Sequence, residues 1–522
     1  MTTNKLNILF TVVFLSFSFA VSSQGGRLLR QEIDAADYDF LYFIPLEERG
    51  LLTLQHSVHF KSGNDFWEIN RYSKHLKLLD KTKFTTGPGH MLIEYDDDGD
   101  SLFYGFFAEK EGSRKYEIIK YNYLSGKLSK ITGAGESRTV CKHFDVVGKT
   151  GFVAGIKEAS AGAYFLQTLY SITLIPAFTG SKVYDIQPQI FYNSTSGKSG
   201  KITLELKGES VIFATGANPK TRAYSLIIKN IYKRKSTLYY YEFDENGKKI
   251  RQTVLPRLNE RNLLSGQLIL TGDSSLAFVG TYNNDKRHSF STNVQTTGIF
   301  VSTLKEGKES IVKFHPFSEF TNAKKALDFR TLQRFENSKR KGENIDLGFN
   351  LLMHNDIINI DSVHLLIAES YYPEYHYETY SNFYGSMYSD QIFDGYRFNY
   401  AFAAAFNDAG DLLWDNTFKM SNIISYNLDE NVIVYFDGTT EVFLYYFDGK
   451  IYSKVISGNE IVYREEETEV RTVNNNEEVL YENYGKIYHW YGPYFLLTGY
   501  QVVVDSRAKK RKVYFFLKLK FG

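Results

Sequence analysis

A run of apolar residues that ends on a small residue and then opens into polar sequence recurs along this chain. Each run is about four to six residues long and rich in aliphatic and aromatic residues, which is typical of a strand buried on both faces. Copies end at Gly105, Gly155, Gly216 and Gly280, in steps of 50, 61 and 64 residues, and weaker copies end at Ala368 and Gly499. A repeat of this length limits the chain to an architecture built from similar units.

A second repeated element follows the first after about 20 to 40 residues and consists of a strand, a Gly-containing turn and another strand. Its turns contain Gly126, Gly247, Gly307, Gly410 and Gly449. An Asn or Asp next to Gly between two strands is a strong hairpin signal, because the turn needs a positive φ. Helical periodicity is scarce, so units of strand, strand and hairpin fill most of the chain.

Such units are what a β-propeller requires, because a four-stranded blade cannot bury its two faces alone and must stack on its neighbours around a ring. Dividing the roughly 490 residues after the first 23 by the repeat length gives seven or eight units. We therefore predict an all-β fold over residues 24–522, a β-propeller of about seven blades with eight as the alternative. A pair of β-sandwich domains would have similar strand spacing and is the second interpretation.

One segment, residues 321–343, departs from the strand pattern. Ala323 and Phe335 belong to an apolar set at helical spacing, and Thr321 or Asn322 could cap its start. The other side is basic, with Lys324, Lys325, Arg330, Arg334, Lys339, Arg340 and Lys341. The pattern predicts a helix inserted between two repeat units and docked by its apolar face. A contact with an anionic surface is the alternative.

The first 23 residues predict a secretory signal peptide. Lys5 precedes an unbroken apolar stretch from about Ile8 to Ala20, and the small residues Ser22 and Ser23 follow. The apolar stretch is too short to span a bilayer comfortably, and no later segment is long and apolar enough for a transmembrane helix. The mature protein is expected to begin near Gln24 and to be exported, to the periplasm or the extracellular medium.

Composition and motifs exclude several kinds of function. Lys and Arg total 61 against 60 Asp and Glu, so no net field favours nucleic acid as a partner. The single Cys excludes a disulfide scaffold and a cysteine-based metal site. Asp96 to Asp100 resembles a calcium loop, but Ser101 stands where an EF-hand needs Gly, so a solvated turn is the better interpretation. No Gly-x-Ser-x-Gly or His-Glu-x-x-His motif occurs, and no cofactor or metal is expected.

The stretch from Tyr371 to Tyr400 is the best candidate for a binding site. It holds nine Tyr and three Phe in 30 residues, and its beginning is expected to form a loop leaving an inner strand. Tyrosine combines a flat apolar face with a polar tip, which suits both sugar rings and protein hot spots. Packing of these rings between blades or in an outer hairpin is the alternative interpretation. The candidate ligand-binding residues are Tyr371, Tyr372, Tyr375, His376, Tyr377 and Tyr396.

The C-terminal third also resembles a known group of proteins. The segments beginning Ala368-Glu-Ser-Tyr-Tyr-Pro, Phe406-Asn-Asp-Ala-Gly and Tyr491-Gly-Pro-Tyr-Phe are similar to uncharacterised secreted β-propeller-like proteins of Bacteroidetes bacteria. The similarity covers roughly residues 345–522. It implies a cell-envelope or exported location in such a bacterium, and it brings no catalytic residue with it.

Two functions follow as hypotheses. The first is an exported propeller that acts as a binding or scaffold protein for a glycan, a peptide or an envelope protein partner. The second is a cell-envelope carbohydrate-active hydrolase or lyase whose acidic residues line the propeller funnel. Two carboxylates from distant strands can form such a site, so no catalytic residue can be selected from the sequence.

Overall fold

The computed structural model describes the chain between Leu29 and Phe521 with internal gaps. The gaps are 36–37, 58–62, 110–114, 136–138, 158–186, 195–197, 219–220, 234, 256–257, 259–260, 272–274, 285–294, 305–310, 327–328, 343–346, 356, 382–386, 422, 458–459, 471 and 473–476. The predicted signal peptide, residues 1–23, lies outside the described residues.

The described residues form an all-β fold of eight antiparallel sheets, numbered here along the chain after β1 (Arg30–Asp34). Sheet 1 contains β2 (Tyr38–Pro45), β3 (Leu51–Ser57), β4 (Asp65–Tyr72) and β5 (Leu78–Thr86). Sheet 2 contains β6 (His90–Asp97), β7 (Leu102–Glu109), β8 (Lys115–Asn122) and β9 (Lys127–Ala134). Sheet 3 contains β10 (Thr139–Val147), β11 (Thr150–Lys157), β12 (Gln187–Ser194) and β13 (Ser199–Ile202). Sheet 4 contains β14 (Glu209–Asn218), β15 (Ala223–Tyr232), β16 (Lys235–Asp244) and β17 (Lys249–Val254).

The second half of the chain repeats the same plan with one enlarged sheet. Sheet 5 contains β18 (Asn262–Thr271), β19 (Ser275–Asn283), β20 (Gly298–Leu304) and β21 (Ile311–Pro316). Sheet 6 contains β22 (Asn350–Met353), β23 (Ile358–Ile360), β24 (Val363–Ser381), β25 (Met387–Asn407), β26 (Leu412–Lys419) and β27 (Ile424–Ser425). Sheet 7 contains β28 (Val432–Phe436), β29 (Thr440–Phe447), β30 (Lys450–Ser457) and β31 (Glu460–Glu469). Sheet 8 contains β32 (Glu478–Tyr491), β33 (Tyr494–Val504) and β34 (Lys510–Lys520), and β1 pairs with β34 as its fourth strand.

The two repeated sequence elements occupy defined places in this plan. Most copies of the first element, including Gly105, Gly155 and Gly280, lie on the second strand of a sheet. At Gly280 a Cβ atom would lie 2.1 Å from the Ser265 carbonyl oxygen, beside a β-bulge of the first strand, so the small residue is required there. The copy ending at Gly216 lies instead on a first strand, β14.

The first strands of several sheets form the inner side of the arrangement. First strands of neighbouring sheets contact one another, as β6 does β10 and β10 does β14. Fourth strands such as β9 alternate between exposed and half-buried residues, as an outer edge does. Second strands such as β7 are almost wholly buried, because both of their faces pack against neighbouring sheets.

Apolar clusters join each sheet to the next, and one cluster joins sheet 8 to sheet 1. That last cluster brings Phe43 and Tyr72 of sheet 1 against Trp490 and Phe516 of sheet 8. The indole Nε1 of Trp490 also donates to the Gly50 carbonyl at 2.8 Å. The arrangement is propeller-like, because flat sheets pack face to face in chain order around a centre formed by their first strands.

Buried carboxylates fasten connecting segments to the sheets. Glu369 on β24 is fully buried, and its carboxylate accepts from the backbone N–H groups of Asn431 at 2.7 Å and Val432 at 2.8 Å. The same carboxylate lies 2.8 Å from His354 Nε2. It therefore holds the segment that leads from sheet 6 into sheet 7.

The segment between sheets 5 and 6 contains the predicted helix, in a shorter form. After 3-10 turns at Phe317–Glu319 and Ala323–Ala326, helix α1 spans Phe329–Arg340. Ala323 and Phe335 are buried in the cluster between sheets 5 and 6, as the apolar spacing predicts.

The expected cap of this segment is replaced by a residue from a distant strand. The backbone N–H groups of Thr321, Asn322 and Ala323 donate to the carboxylate of Asp415 on β26, at 2.7 to 2.9 Å. Asp415 is far away in sequence, so the local pattern could not reveal it. The basic side is solvated at Lys325, which is exposed together with Lys339, Arg340 and Lys341.

Candidate functional site

The tyrosine-rich stretch forms a long β-hairpin rather than the loop expected from the sequence. Strands β24 and β25 remain paired from Val363↔Asn407 to Ser381↔Met387, well beyond the part of sheet 6 that packs on its neighbours. Alternation of aromatic and polar residues favours this extended pairing. Pro373 is tolerated because it lies where no described strand pairs with the other side of β24. Residues 382–386, between the two strands, lie outside the described residues.

Strand alternation divides the six candidate residues between the two faces of the hairpin. The cross-strand pairs Tyr371↔Phe398, Pro373↔Tyr396 and Tyr375↔Phe393 place Tyr371, Tyr375, Tyr377 and Tyr396 on one face, here called the aromatic face. Tyr372 and His376 lie on the opposite face, here called the polar face. The six residues therefore do not form a single site.

The aromatic face is a continuous row of rings. Tyr371 packs edge-on against Tyr396 with ring centroids 5.3 Å apart, and Tyr396 packs against Phe393 at 5.0 Å. Phe393 also contacts Tyr375 at 5.4 Å. Tyr371 is half-buried at the base of the row, whereas Tyr377 is 68% exposed towards the tip. Such a row offers fixed ring faces to a ligand at small entropic cost.

The polar face carries charge pairs beside its exposed tyrosines. Arg397 forms a bidentate pair with Glu374, its Nε and Nη2 each donating at 2.9 Å. His376 Nδ1 lies 2.5 Å from Asp394, and its Nε2 lies 3.5 Å from Glu378. The hydrogen bond to Asp394, with that to Glu378, raises the pKa of His376. Ion pairs at exposed and half-exposed positions such as these contribute little to stability.

A cleft of about 1160 Å³ lies at the base of the hairpin. Ile424 and Ser425 of β27 line it and also pair with the hairpin residues Arg397 and Tyr396. The other walls are the beginnings of β2 and β32 and the turn between β29 and β30. The hairpin and this turn both connect second to third strands, so they belong to the end of the sheets where the first strands begin.

The cleft wall combines aromatic rings with an excess of acidic groups. Its rings include Tyr42, Tyr446, Tyr481, Tyr488 and Tyr514. Its charged residues are Asp429, Glu430, Asp448, Glu482 and Lys486. Burial raises the pKa of Tyr488 and that of Tyr446, so both hydroxyls stay protonated and can donate.

A group of acids on the first strands was not predicted as a group, and Asp96 was assigned only to a solvated turn. Glu94 and Asp96 lie on β6, and Asp145 lies on the neighbouring strand β10. The Glu94 carboxylate accepts from the Phe144 N–H, and the Asp96 carboxylate accepts from the Val146 N–H at 2.7 Å. The sequence signal for this group is that acidic residues recur at a similar position in two successive first strands. That recurrence can be recognised only when the two strands are aligned with each other.

The protonation of these three acids is shifted towards the neutral form. Burial, together with the charge of Asp145, raises the pKa of Glu94 to about 8. Burial likewise raises the pKa of Asp145 to about 7 and that of Asp96 to about 6. Carboxyl groups that titrate near neutral pH are able to exchange protons with a ligand.

Other candidate chemistry is limited in the described part of the chain. No group of three or more His, Cys, Asp and Glu side chains there is placed to hold a metal ion. Of the segment Asp96 to Asp100, Asp96 and Asp97 end β6, so the solvated turn expected from the sequence begins only at Asp98. The Asp98 carboxylate accepts from the N–H groups of Ser101 and Leu102 at 2.8 Å. Burial raises the pKa of Cys141 to about 12, so this thiol is a poor nucleophile. None of the described helices has the length and apolar character needed to cross a membrane.

Comparison with known proteins gives no family and only distant structural similarity. No family model and no curated protein matches the chain. Among solved structures, the polysaccharide lyase Uly1 is 10% identical, with a TM-score of 0.36 over 93% of this chain and 100% of that one. Prolyl oligopeptidase B from Galerina marginata is 8% identical, with a TM-score of 0.39 over 91% of this chain and 56% of that one. A Synechocystis apocarotenoid oxygenase is 9% identical, with a TM-score of 0.38 over 74% of this chain and 72% of that one. Similarities this weak carry no argument about this chain.

Proposed function

We propose that this chain is an exported, eight-bladed β-propeller that works as a binding or scaffold protein in the periplasm or outside the cell. Its ligand is a glycan, a peptide or a protein partner of the cell envelope. The N-terminal export pattern supports the location. The eight sheets, the cluster between sheets 8 and 1 and the β1–β34 pairing support a closed ring.

The observation that carries the binding function is the hairpin formed by β24 and β25. Tyr371 and Tyr396, at the base of the row, pack against the cluster between sheets 6 and 7. Beyond them the row is exposed, and a contiguous exposed apolar patch is typical of an interaction site. Tyr375 is 46% exposed and Tyr377 is 68% exposed on the aromatic face. The adjoining cleft extends this surface towards the centre of the molecule, where ligands of concave sites collect.

The test is a ligand screen of the mature protein from Gln24 against cell-wall fragments, polysaccharides and envelope proteins, read as a shift of the thermal unfolding midpoint. A ligand present at about a hundred times its dissociation constant adds about 2.7 kcal/mol of stability. We expect Tyr375→Ala combined with Tyr377→Ala to weaken binding of the ligand found by about tenfold or more.

The matched control is Tyr232→Ala, which removes a tyrosine that is 43% exposed on sheet 4. The separate variant Tyr372→Ala tests the polar face. If the double variant binds as tightly as the wild-type protein, the hairpin is not the binding site.

A second candidate function is favoured by Glu94, Asp96 and Asp145. An acid that stays protonated near neutral pH, beside one that is ionised, is the arrangement of a carbohydrate hydrolase or lyase. This function predicts release of shorter sugars from a polysaccharide panel and loss of turnover in Glu94→Gln and Asp145→Asn. Absence of product across the panel, with binding retained, would leave the binding function alone.

A further inference from the structure

The hairpin offers an open strand edge. Strands β26 and β27 pair with β25 only from Tyr396 towards its C-terminal end. Over Ser389–Asp394 the outer side of β25 has no partner strand among the described residues. An unpaired strand edge presents a row of backbone N–H and C=O groups that can pair with another chain. Strand β27 pairs with β25 immediately beyond this stretch. A strand added here would therefore pair with β25 and lie in line with β27.

The two edges of the hairpin differ in their ability to accept a strand. The edge of β24 contains Pro373, which lacks an N–H and interrupts a ladder of hydrogen bonds. The Ser389–Asp394 edge contains no proline. Its β-bulge lies at the far end, where Asp394 is the extra residue opposite the Glu374 to Tyr375 step.

Charge determines which strand this edge can accept. The polar face holds Glu374, Glu378, Asp390 and Asp394 against only Arg397 and His376. A second copy of the hairpin would bring like charges together, which disfavours self-association. A basic strand would meet opposite charges, and the cleft beside it has the same acidic excess.

We propose that the Ser389–Asp394 edge binds an extended basic peptide segment by strand addition, which rests on the binding function proposed above. Tyr388, Asp390 and Ile392 face the polar side, whereas Gln391 and Phe393 face the aromatic side. The added strand therefore has basic residues on the polar face, near Asp390, and apolar residues on the aromatic face, near Phe393. Backbone pairing supplies affinity, and this alternation supplies specificity.

The experiment uses the mature full-length protein and synthetic end-blocked peptides of about nine residues, the length of an ordinary strand. One peptide alternates Lys and Val, a second alternates Glu and Val, and a third is the Lys–Val peptide with alternate backbone nitrogens methylated. Fluorescence anisotropy measures the dissociation constants. We expect only the unmethylated Lys–Val peptide to bind, and more weakly as salt increases.

Two charge reversals make the test specific. Asp390→Lys should weaken binding of the Lys–Val peptide by about tenfold or more, because it replaces an attraction by a repulsion. Glu48→Lys is the control, because Glu48 is an exposed acid between β2 and β3, at the opposite end of the sheets. It should leave the affinity within about twofold.

The outcomes separate this inference from the proposed function. Equal binding of the methylated peptide, or unchanged affinity in Asp390→Lys, overturns strand addition. If no peptide binds while a ligand from the screen depends on Tyr375 and Tyr377, strand addition is wrong and the binding function stands. If neither peptides nor screened ligands respond to any hairpin variant, both fail. If the wild-type protein forms a dimer and Asp390→Lys does not, the edge binds a second copy of the chain, and the basic-peptide inference is wrong.

Discussion

At the scale of single residues, the acids of the central strands hold neighbouring sheets together. Glu94 and Asp96 accept hydrogen bonds from backbone N–H groups of β10. Each carboxylate thus gives a backbone donor of β10 the acceptor that it needs. The same burial disfavours their ionised forms, and the charge of Asp145 adds repulsion. The packing of β6 against β10 is therefore expected to depend on pH.

Stability should decrease as pH rises through the neutral range. The pKa values of Glu94, Asp145 and Asp96 are raised in the folded state to about 8, 7 and 6, so the folded protein binds protons that the unfolded chain releases. The stabilisation is complete below the unfolded values near 4 and is lost progressively up to about pH 8. We expect a lower thermal midpoint at pH 8.5 than at pH 5.5.

Glu94→Gln should reduce this difference, because Gln keeps an acceptor for the Phe144 N–H but does not titrate. The thermal midpoints of the variant and the wild-type protein, each measured at both pH values, test this. A wild-type midpoint that is unchanged or higher at pH 8.5 would contradict the assignment.

A second residue-scale prediction compares two glutamates on the same strand. Glu369→Ala leaves the donors of His354, Asn431 and Val432 without an acceptor in a buried site, and should cost about 3 to 5 kcal/mol. Glu374→Ala removes an exposed pair with Arg397 and should cost less than about 1 kcal/mol. Urea denaturation followed by tryptophan fluorescence measures both. Equal losses would show that Glu369 does not fasten sheet 7 to sheet 6.

At the scale of elements, the segment before α1 depends on a strand to which it is not adjacent in sequence. Asp415 is 5% exposed and accepts from three successive backbone N–H groups of this segment. The docking of α1 therefore combines its apolar face, through Phe335, with this single carboxylate.

Asp415→Ala should loosen this segment without unfolding the sheets. We expect amide hydrogen exchange over residues 321–340 to become about tenfold faster or more, because three buried donors lose their acceptor. The control is Asp411→Ala, which removes an exposed pair with Lys313 and an exposed hydrogen bond from Asn407. Unchanged exchange in Asp415→Ala, measured by mass spectrometry of peptic fragments, would show that apolar packing alone docks the segment.

At the scale of the whole molecule, the first and the last of the described strands meet in one sheet. Strand β1 pairs with β34 from Arg30↔Leu517 to Asp34↔Val513. Arg30 donates to the Gln501 side chain at 2.7 Å, and its guanidinium lies 4.3 Å from the centre of the Phe515 ring. In the proposed ring, this strand completes the last blade and protects its edge.

Removal of β1 should therefore destabilise the entire ring rather than one end of it. A chain beginning at Ala35 loses the β1–β34 pairing, whereas a chain beginning at Leu29 keeps it. We expect the thermal midpoint of the shorter chain to be about 5 °C lower or more, with greater aggregation from the exposed edge of β34. Equal midpoints, measured by calorimetry, would mean that β1 contributes nothing to closure.

The sequence by itself determined the all-β class, the repeated unit and the apolar docking of α1, because each depends on local patterns of strand, turn and helix. Gly126, Gly247 and Gly410, for example, do lie in tight turns with positive φ, between third and fourth strands. Tertiary structure alone decided which distant residues meet. Asp415 with Thr321, Glu94 with Asp145, and the division of the tyrosines between two faces follow from strand register and the stacking of sheets. These contacts join residues far apart in the chain, so no local pattern carries them.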